Sequence, residues 1–144
     1  HIERHLIACY EGENKGFFRP HRDNTTLATA HRCFAVTINL NTEEYEGGEL
    51  RFPEFGSRTY RAPTGGAIVF SCSLLHEVLP VTQGKRYAVL PFLYDENSAR
   101  IRRENEKHLA DEKIDLNKQQ TTDALKHFTL SNSQPPPDSA LAAL

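Results

Sequence analysis

The chain has 144 residues, 25% of them charged and 38% hydrophobic, with a net charge of −2, which is the balance of an ordinary globular protein large enough for one domain with a buried core. No apolar run approaches the roughly 20 residues of a membrane span, and basic residues such as Arg100, Arg102 and Arg103 alternate with acids, so neither a membrane nor nucleic acid is expected as a partner.

In chain order, short strand-like runs broken by turn residues fill residues 6–95. "HLIACY" is the first and leads into the polar "EGENKG"; "FFRPHRD" follows, then "RCFAVTINL", which is β-branched and long enough for a central strand. "EEYEGGELRFP", "SRTYRAP", "TGGAIVFS", "LHEVLPV" and "KRYAVLPFLYD" continue the series, with Gly47-Gly48 and Gly65-Gly66 as turns or bulges. Seven or eight such strands without intervening helical patterns predict a β-sandwich or barrel and exclude a parallel α/β sheet. After Asp95 the chain turns charged with sparse apolar positions. Residues 96–130 are expected as a helical extension that Asn97 or Ser98 caps, with "TTDALKHFTL" a second helical candidate, and residues 131–144, which contain three consecutive prolines, as a disordered tail. The chemistry, if any, belongs to residues 1–95. With no initiating methionine and a start directly before a strand, the chain reads as a fragment or processed product. Cys9, Cys33 and Cys72 form neither a CxxC nor an even set, so structural thiols in a reducing cytoplasm are expected rather than disulfides.

"FFRPHRDN" carries the first chemical signal. In a strand, residues i and i+2 point to one face about 6.6 Å apart, so His21 and Asp23 can converge on one ion while Arg22 turns away. An HxD pair alone is weak, and the terminal His1/Glu3 pair is read as incidental. A ferrous centre of the oxygenase kind needs two imidazoles and one carboxylate on one face. His76, entering the apolar strand after Gly65-Gly66, is the best third candidate; His31, in a polar stretch, is the rival. Arg86 lies in "KRYAVLPFLYD", a charge in an apolar strand that is costly without a partner anion. That anion is either an internal carboxylate, such as Glu77 or Glu49, or the carboxylate of a ligand. If "LHEVLPV" and "KRYAVLPFLYD" form a hairpin across Thr82-Gln83-Gly84, residue 78 faces residue 86 and Arg86 shares a face with His76 at about 6–7 Å, a span that suits a short dicarboxylate.

Over residues 6–95, "LIACYEGENKGFFRPHRDN", "RCFAVTINLN", "EGGELRFP", "GGAIVFS", "HEVLPV" and "KRYAVLPFLYD" together resemble the iron(II)- and 2-oxoglutarate-dependent dioxygenases, in the prolyl 4-hydroxylase-like branch that includes the hypoxia-factor prolyl hydroxylases. The resemblance implies a mainly β fold, a double-stranded β-helix or jelly roll of two antiparallel sheets, with the C-terminal helix packed outside. It implies His21, Asp23 and His76 as ligands of Fe(II), Arg86 on the distal carboxylate of 2-oxoglutarate, Tyr10 lining the cosubstrate pocket, and Arg32 and Phe92 beside the substrate. Asn39 stands where those enzymes carry a tyrosine hydroxyl for the cosubstrate, Phe92 where they carry tryptophan, and Arg86 where procollagen-type members use lysine. The strands and helices that precede the "LIACY" strand in the family are missing from this sequence.

The activity so implied is hydroxylation of a C–H bond, with a prolyl residue as one candidate, in a protein or small-molecule substrate. O2 is consumed, succinate and CO2 are released, and ascorbate is a candidate reductant. Phe34, Val36, Ile68, Phe70 and Val89 are candidates for the apolar wall of the pocket, with plain core packing as the alternative. Two other classes fit part of the pattern. A non-catalytic jelly-roll module that binds a metal or ligand has no need of Arg86. A zinc hydrolase needs a general base beside the metal, and Glu77, the sole neighbour, points to the opposite face.

Overall fold

Alternation along β3 (Phe34–Asn39) sets the architecture: Ala35, Thr37 and Asn39 are buried, while Phe34 is 50% exposed, as expected for a strand with one face on a core. This is a computed structural model, and it describes residues 1–110. The remainder of the expected helical extension, the second helical candidate and the expected disordered tail lie outside the described residues. One edge of β3 pairs antiparallel with β7 (Ala67–Ser71); the other pairs with β9 (Val81–Val89) and β10 (Phe92–Leu93), and β1 (Ile7–Glu11) and β4 (Tyr45–Gly47) pair with β9. A second, four-stranded antiparallel sheet runs β2 (Phe18–His21), β8 (His76–Val78), β5 (Leu50–Arg51), β6 (Thr59–Tyr60). This is the mainly antiparallel jelly roll that the resemblance implies, and it agrees with the sandwich or barrel expected from the strand count.

The predicted hairpin across Thr82-Gln83-Gly84 is not there. Those residues run inside β9 and pair with β4, as Tyr45↔Gly84 and Glu46↔Gln83. The break falls instead at Leu79-Pro80, where the chain leaves the smaller sheet and enters the larger one. Pro80 has no N–H to continue a ladder. The glycine that looked like a turn residue serves close packing: Gly84 has φ +73°, and a Cβ there would collide with the Glu44 carbonyl oxygen. Strands β8 and β9 therefore belong to different sheets, and Val78 pairs with Phe18 and Leu50 rather than with Arg86.

A helix, α1, occupies residues 96–110. Its cap is Asp95, whose Oδ1 accepts the Ser98 backbone N–H at 2.7 Å; a carboxylate directly before the helix, facing its first unpaired N–H groups, suits both the cap and the helix dipole. The expected caps, Asn97 and Ser98, lie inside the helix. The compact unit His1–Glu106 includes the start of α1, where Ala99 is buried and Arg102 donates to the Tyr94 hydroxyl at 2.8 Å. Cys72 is buried and Cys33 half-buried, but Cys9 is exposed, contrary to the expectation of a buried thiol, because β1 turns Ala8 and Tyr10 inward in alternation with it. No helix among the described residues is long and apolar enough to cross a membrane.

Candidate active site

His21 closes β2 directly opposite His76, which opens β8, so the two imidazoles project to one side with ring centroids 4.3 Å apart. β2 is an edge strand of its sheet, the place where Pro20 is tolerated. Asp23 is not in the strand, as first expected, but in the turn after it. Its backbone N–H donates to the Cys72 carbonyl at 2.9 Å. Arg22, turned away, donates to the Ser73 carbonyl and to Glu54 Oε1, the latter at 2.7 Å. The turn so fixed brings the Asp23 carboxylate between the rings, with Oδ1 3.2 Å from His21 Nε2 and Oδ2 3.4 Å from His76 Nε2. One ligand atom from each of the three residues lies within 4.8 Å of the others.

The tautomers follow from the backbone. His21 Nδ1 faces the Arg19 carbonyl at 2.8 Å and His76 Nδ1 faces the Leu74 carbonyl at 3.0 Å. A carbonyl only accepts, so each Nδ1 carries the proton and each neutral ring presents its Nε2 lone pair to Asp23. Two lone pairs and a carboxylate pointing at one another repel unless a cation sits among them. Burial drives the His76 imidazole below its usual range, against the pull of the Leu74 carbonyl and the Asp23 charge. Burial also pulls on His21, but the hydrogen bonds to Asp23 and the Arg19 carbonyl outweigh it, and the net direction is upward. A proton can serve at His21, whereas His76 resists one; a divalent metal satisfies all three groups, with each Nδ1–H anchored from behind in the usual manner of metal-binding histidines. Cys72, whose carbonyl holds Asp23, is itself inert: burial pushes its thiol up to about 12.

Across a cavity of about 400 Å³ between the sheets stands Arg86. It is 3% exposed, and its Nη2 donates to Thr37 Oγ1 at 3.2 Å and Asn39 Oδ1 at 3.3 Å. Nε and Nη1 have no partner among the described residues. The internal salt bridge considered from sequence is not made: Glu77 pairs with Arg51 at 2.6 Å and Glu49 lies 3.7 Å from Arg61. Tyr10, paired with Arg86 across β1 and β9, lies under the guanidinium with its ring centroid 5.2 Å from Cζ. Burial raises the Tyr10 hydroxyl, and the Arg86 charge opposes this. A buried cation with unmet N–H donors fits an anionic ligand such as a carboxylate.

Arg32 and Phe92 also meet in this cavity, with the Arg32 Cζ 3.8 Å above the Phe92 ring. Arg32 is held from behind by Glu3, which accepts from both Nε and Nη2 at 2.8 Å. His31, the rival ligand, is buried with its Nε2 3.0 Å from the same carboxylate, so it belongs to this network and not to the metal cluster. The His1/Glu3 pair read as incidental thus contains a structural carboxylate. Asn39 does not border the cavity, whereas Thr37 does. Thr37 escaped sequence reasoning, although the alternation that buries Asn39 also buries the residue two before it. Of the expected apolar wall, Phe70 packs on His76 with centroids 4.6 Å apart and Val36 borders the cavity, while Phe34 points outward and Ile68 and Val89 do not border it.

The fold is a jelly roll with a His/Asp/His cluster at the edge of one sheet and a buried arginine facing it from the other, an arrangement able to take a metal ion and a carboxylate. Residues 5–94 match the family model described as "2OG-Fe(II) oxygenase superfamily", and the chain belongs to that family. It is 33% identical over 94 residues to a PKHD-type hydroxylase of Synechococcus sp. (strain JA-2-3B'a(2-13)), covering 61% of this chain and 41% of the relative. Among solved structures it resembles a 2OG-Fe(II) oxygenase family oxidoreductase from Burkholderia pseudomallei, at 27% identity and TM-score 0.53, covering 64% of this chain and 43% of that one. A Pseudomonas putida prolyl-4-hydroxylase gives 25% identity and TM-score 0.53, with 64% of this chain and 51% of that one covered. The chain therefore spans about two fifths of the length of the hydroxylase relatives it matches.

Proposed function

We propose that these residues form the iron- and cosubstrate-binding core of a 2-oxoglutarate-dependent dioxygenase that hydroxylates a C–H bond of a prolyl residue. The observation that carries the reading is Arg86, a buried cation with three unmet N–H hydrogens in the same cavity as the His/Asp/His cluster. In this reading His21, Asp23 and His76 hold Fe(II), and Arg86 with Tyr10 holds the distal carboxylate of 2-oxoglutarate. When bound, the iron and its cosubstrate supply O2 activation coupled to loss of CO2, with succinate as coproduct and ascorbate as the external reductant. The chain's own share is orientation: the Arg19 and Leu74 carbonyls fix both imidazoles, and Phe18 and Phe70 pack against them with centroids 4.3 and 4.6 Å away. Arg32, braced by Glu3 and stacked on Phe92, is assigned to the substrate side.

The prolyl assignment draws on the Pseudomonas putida relative, named a prolyl-4-hydroxylase, and on the PKHD-type hydroxylases. Free thiols at Cys9, Cys33 and Cys72 accord with a reducing, cytoplasmic setting. A zinc hydrolase is disfavoured because Glu77, the general base it would need, is tied to Arg51.

Anaerobic titration with Fe(II) and then 2-oxoglutarate, followed by the visible charge-transfer band, tests the reading. Arg86→Gln should weaken 2-oxoglutarate binding by about 30-fold or more, because removing one partner of a buried charge pair costs about 2–5 kcal/mol, and should leave iron affinity unchanged. A folded variant with unaltered 2-oxoglutarate affinity would overturn the proposal.

A further inference from the structure

Arg86 does not face the ligand end of the cavity alone. Its Nη2 carries two hydrogens and meets two acceptors, Thr37 Oγ1 at 3.2 Å and Asn39 Oδ1 at 3.3 Å. A guanidinium only donates, so the Thr37 oxygen is the acceptor in that contact and its own hydroxyl hydrogen goes elsewhere. No acceptor for it exists among the described residues. Thr37 is 5% exposed and borders the cavity. Asn39, two residues along the same face of β3, is buried just as deeply but lies behind: its amide donates to the Ala62 carbonyl at 2.8 Å, its oxygen is taken by Arg86, and it does not border the cavity.

We infer that Thr37 is a second, direct donor to the distal carboxylate of the cosubstrate, and that Asn39 is a positioning residue that holds Arg86 for it. The inference rests on the 2-oxoglutarate reading of the cavity and refines it. The resemblance put Asn39 at the position of a cosubstrate-binding hydroxyl; in this chain the hydroxyl sits one strand repeat earlier. The free Nε–H and Nη1–H of Arg86 lie on different edges of the guanidinium, and each shares its edge with Nη2; a carboxylate oxygen that takes the free N–H on the edge where Thr37 meets Nη2 lies beside Oγ1, where the Thr37 O–H can reach it. The carboxylate then has donors from two strands, β9 and β3.

The test is calorimetric titration of 2-oxoglutarate into Mn(II)-loaded protein, in which no turnover is required. Thr37→Val, which keeps shape and removes the hydroxyl, should weaken binding about tenfold, the scale of one hydrogen bond to a charged acceptor; Thr37→Ser should stay close to wild type. Since Thr37 also touches Arg86, the decisive step is a double-mutant cycle: the Thr37→Val loss should persist in the Arg86→Gln background, with Mn(II) affinity constant throughout. A loss that vanishes in that background would mean that Thr37 acts only through Arg86, and a silent Thr37→Val would mean that it does not act at all; either overturns this assignment and leaves the 2-oxoglutarate reading intact. Wild-type protein that takes Mn(II) and no 2-oxoglutarate overturns both. Thr37→Ala is read in the same way should Thr37→Val fail to fold.

Discussion

Gly48 shows how much of the site depends on one missing methyl. With φ at +69°, a Cβ there would stand 2.8 Å from Val81 Cγ2 and 3.0 Å from Arg86 Cδ. Both contacts are tighter than van der Waals packing permits, and the left-handed backbone penalises an L side chain by about 1–2 kcal/mol. The side chain of Val81 is fully buried and cannot yield, so the Arg86 stem must move. Gly48→Ala should therefore lower the unfolding temperature and weaken 2-oxoglutarate binding severalfold while sparing iron, whose candidate ligands stand on the other sheet and in the turn after β2. Parallel calorimetric titrations of the two ligands check this; equal losses for both would show that the damage is general. Sequence reading marked Gly47-Gly48 as a turn or bulge. It could not mark the proximity to Arg86, because the contact joins residues 38 apart in the chain.

At the scale of elements, the segment before β1 works as a brace for the substrate side. The Glu3 backbone N–H donates to the Phe92 carbonyl at 2.9 Å, and its carboxylate spans Arg32 and His31. The Arg32 hydrogen bonds hold the Glu3 carboxyl below the usual carboxylate range, against the opposing push of burial and with help from His31. A folded pKa below the unfolded one adds stability that is complete above the ordinary glutamate value and is lost as pH falls through the folded value. Glu3→Gln should accordingly cost about 1–3 kcal/mol at neutral pH, since it leaves a half-buried arginine short of its partner. The gap between variant and wild type should close below about pH 4, a window set by the glutamate reference value near 4.3. Urea unfolding at several pH values reads this directly; a pH-independent gap would assign the effect to packing. Nothing in "HIER" announces the role, because a carboxylate finds its arginine only when residues 3 and 32 are brought together.

Over the whole molecule, the two ends of the cavity belong to different sheets. His21 and His76 stand on β2 and β8 of the smaller sheet, while Tyr10, Thr37 and Arg86 stand on β1, β3 and β9 of the larger one. A metal chelated by a dicarboxylate that reaches Arg86 would tie the sheets together. Mn(II) with 2-oxoglutarate at about 100 times its dissociation constant should then stabilise the fold by about 2.7 kcal/mol, seen as a rise in the unfolding midpoint. His21→Ala should abolish that rise and keep the β-sheet circular dichroism. A rise of full size in His21→Ala would place the metal elsewhere.

The local pattern determined what depends on neighbours in sequence. Period-two alternation with turn residues pointed to a β-sandwich or barrel, which the resemblance narrowed to a jelly roll, and residue chemistry raised His21, Asp23, His76 and Arg86 together: an HxD pair alone is weak, but an arginine among Tyr87, Ala88 and Val89 is costly without a partner anion. Tertiary structure alone decided how these meet. The predicted hairpin at Gly84 put Arg86 near His76 by the wrong route: β8 and β9 are not partners, and Pro80, lacking an N–H, passes the chain from one sheet to the other so that the two residues face each other across the core. It also decided that Glu77 and Glu49 pair elsewhere, that Thr37 rather than Asn39 borders the cavity, and that His31 serves Glu3. Each of those outcomes is a competition among polar groups for partners distant in the chain, and burial, which only the folded sheets create, fixes which group goes unpaired.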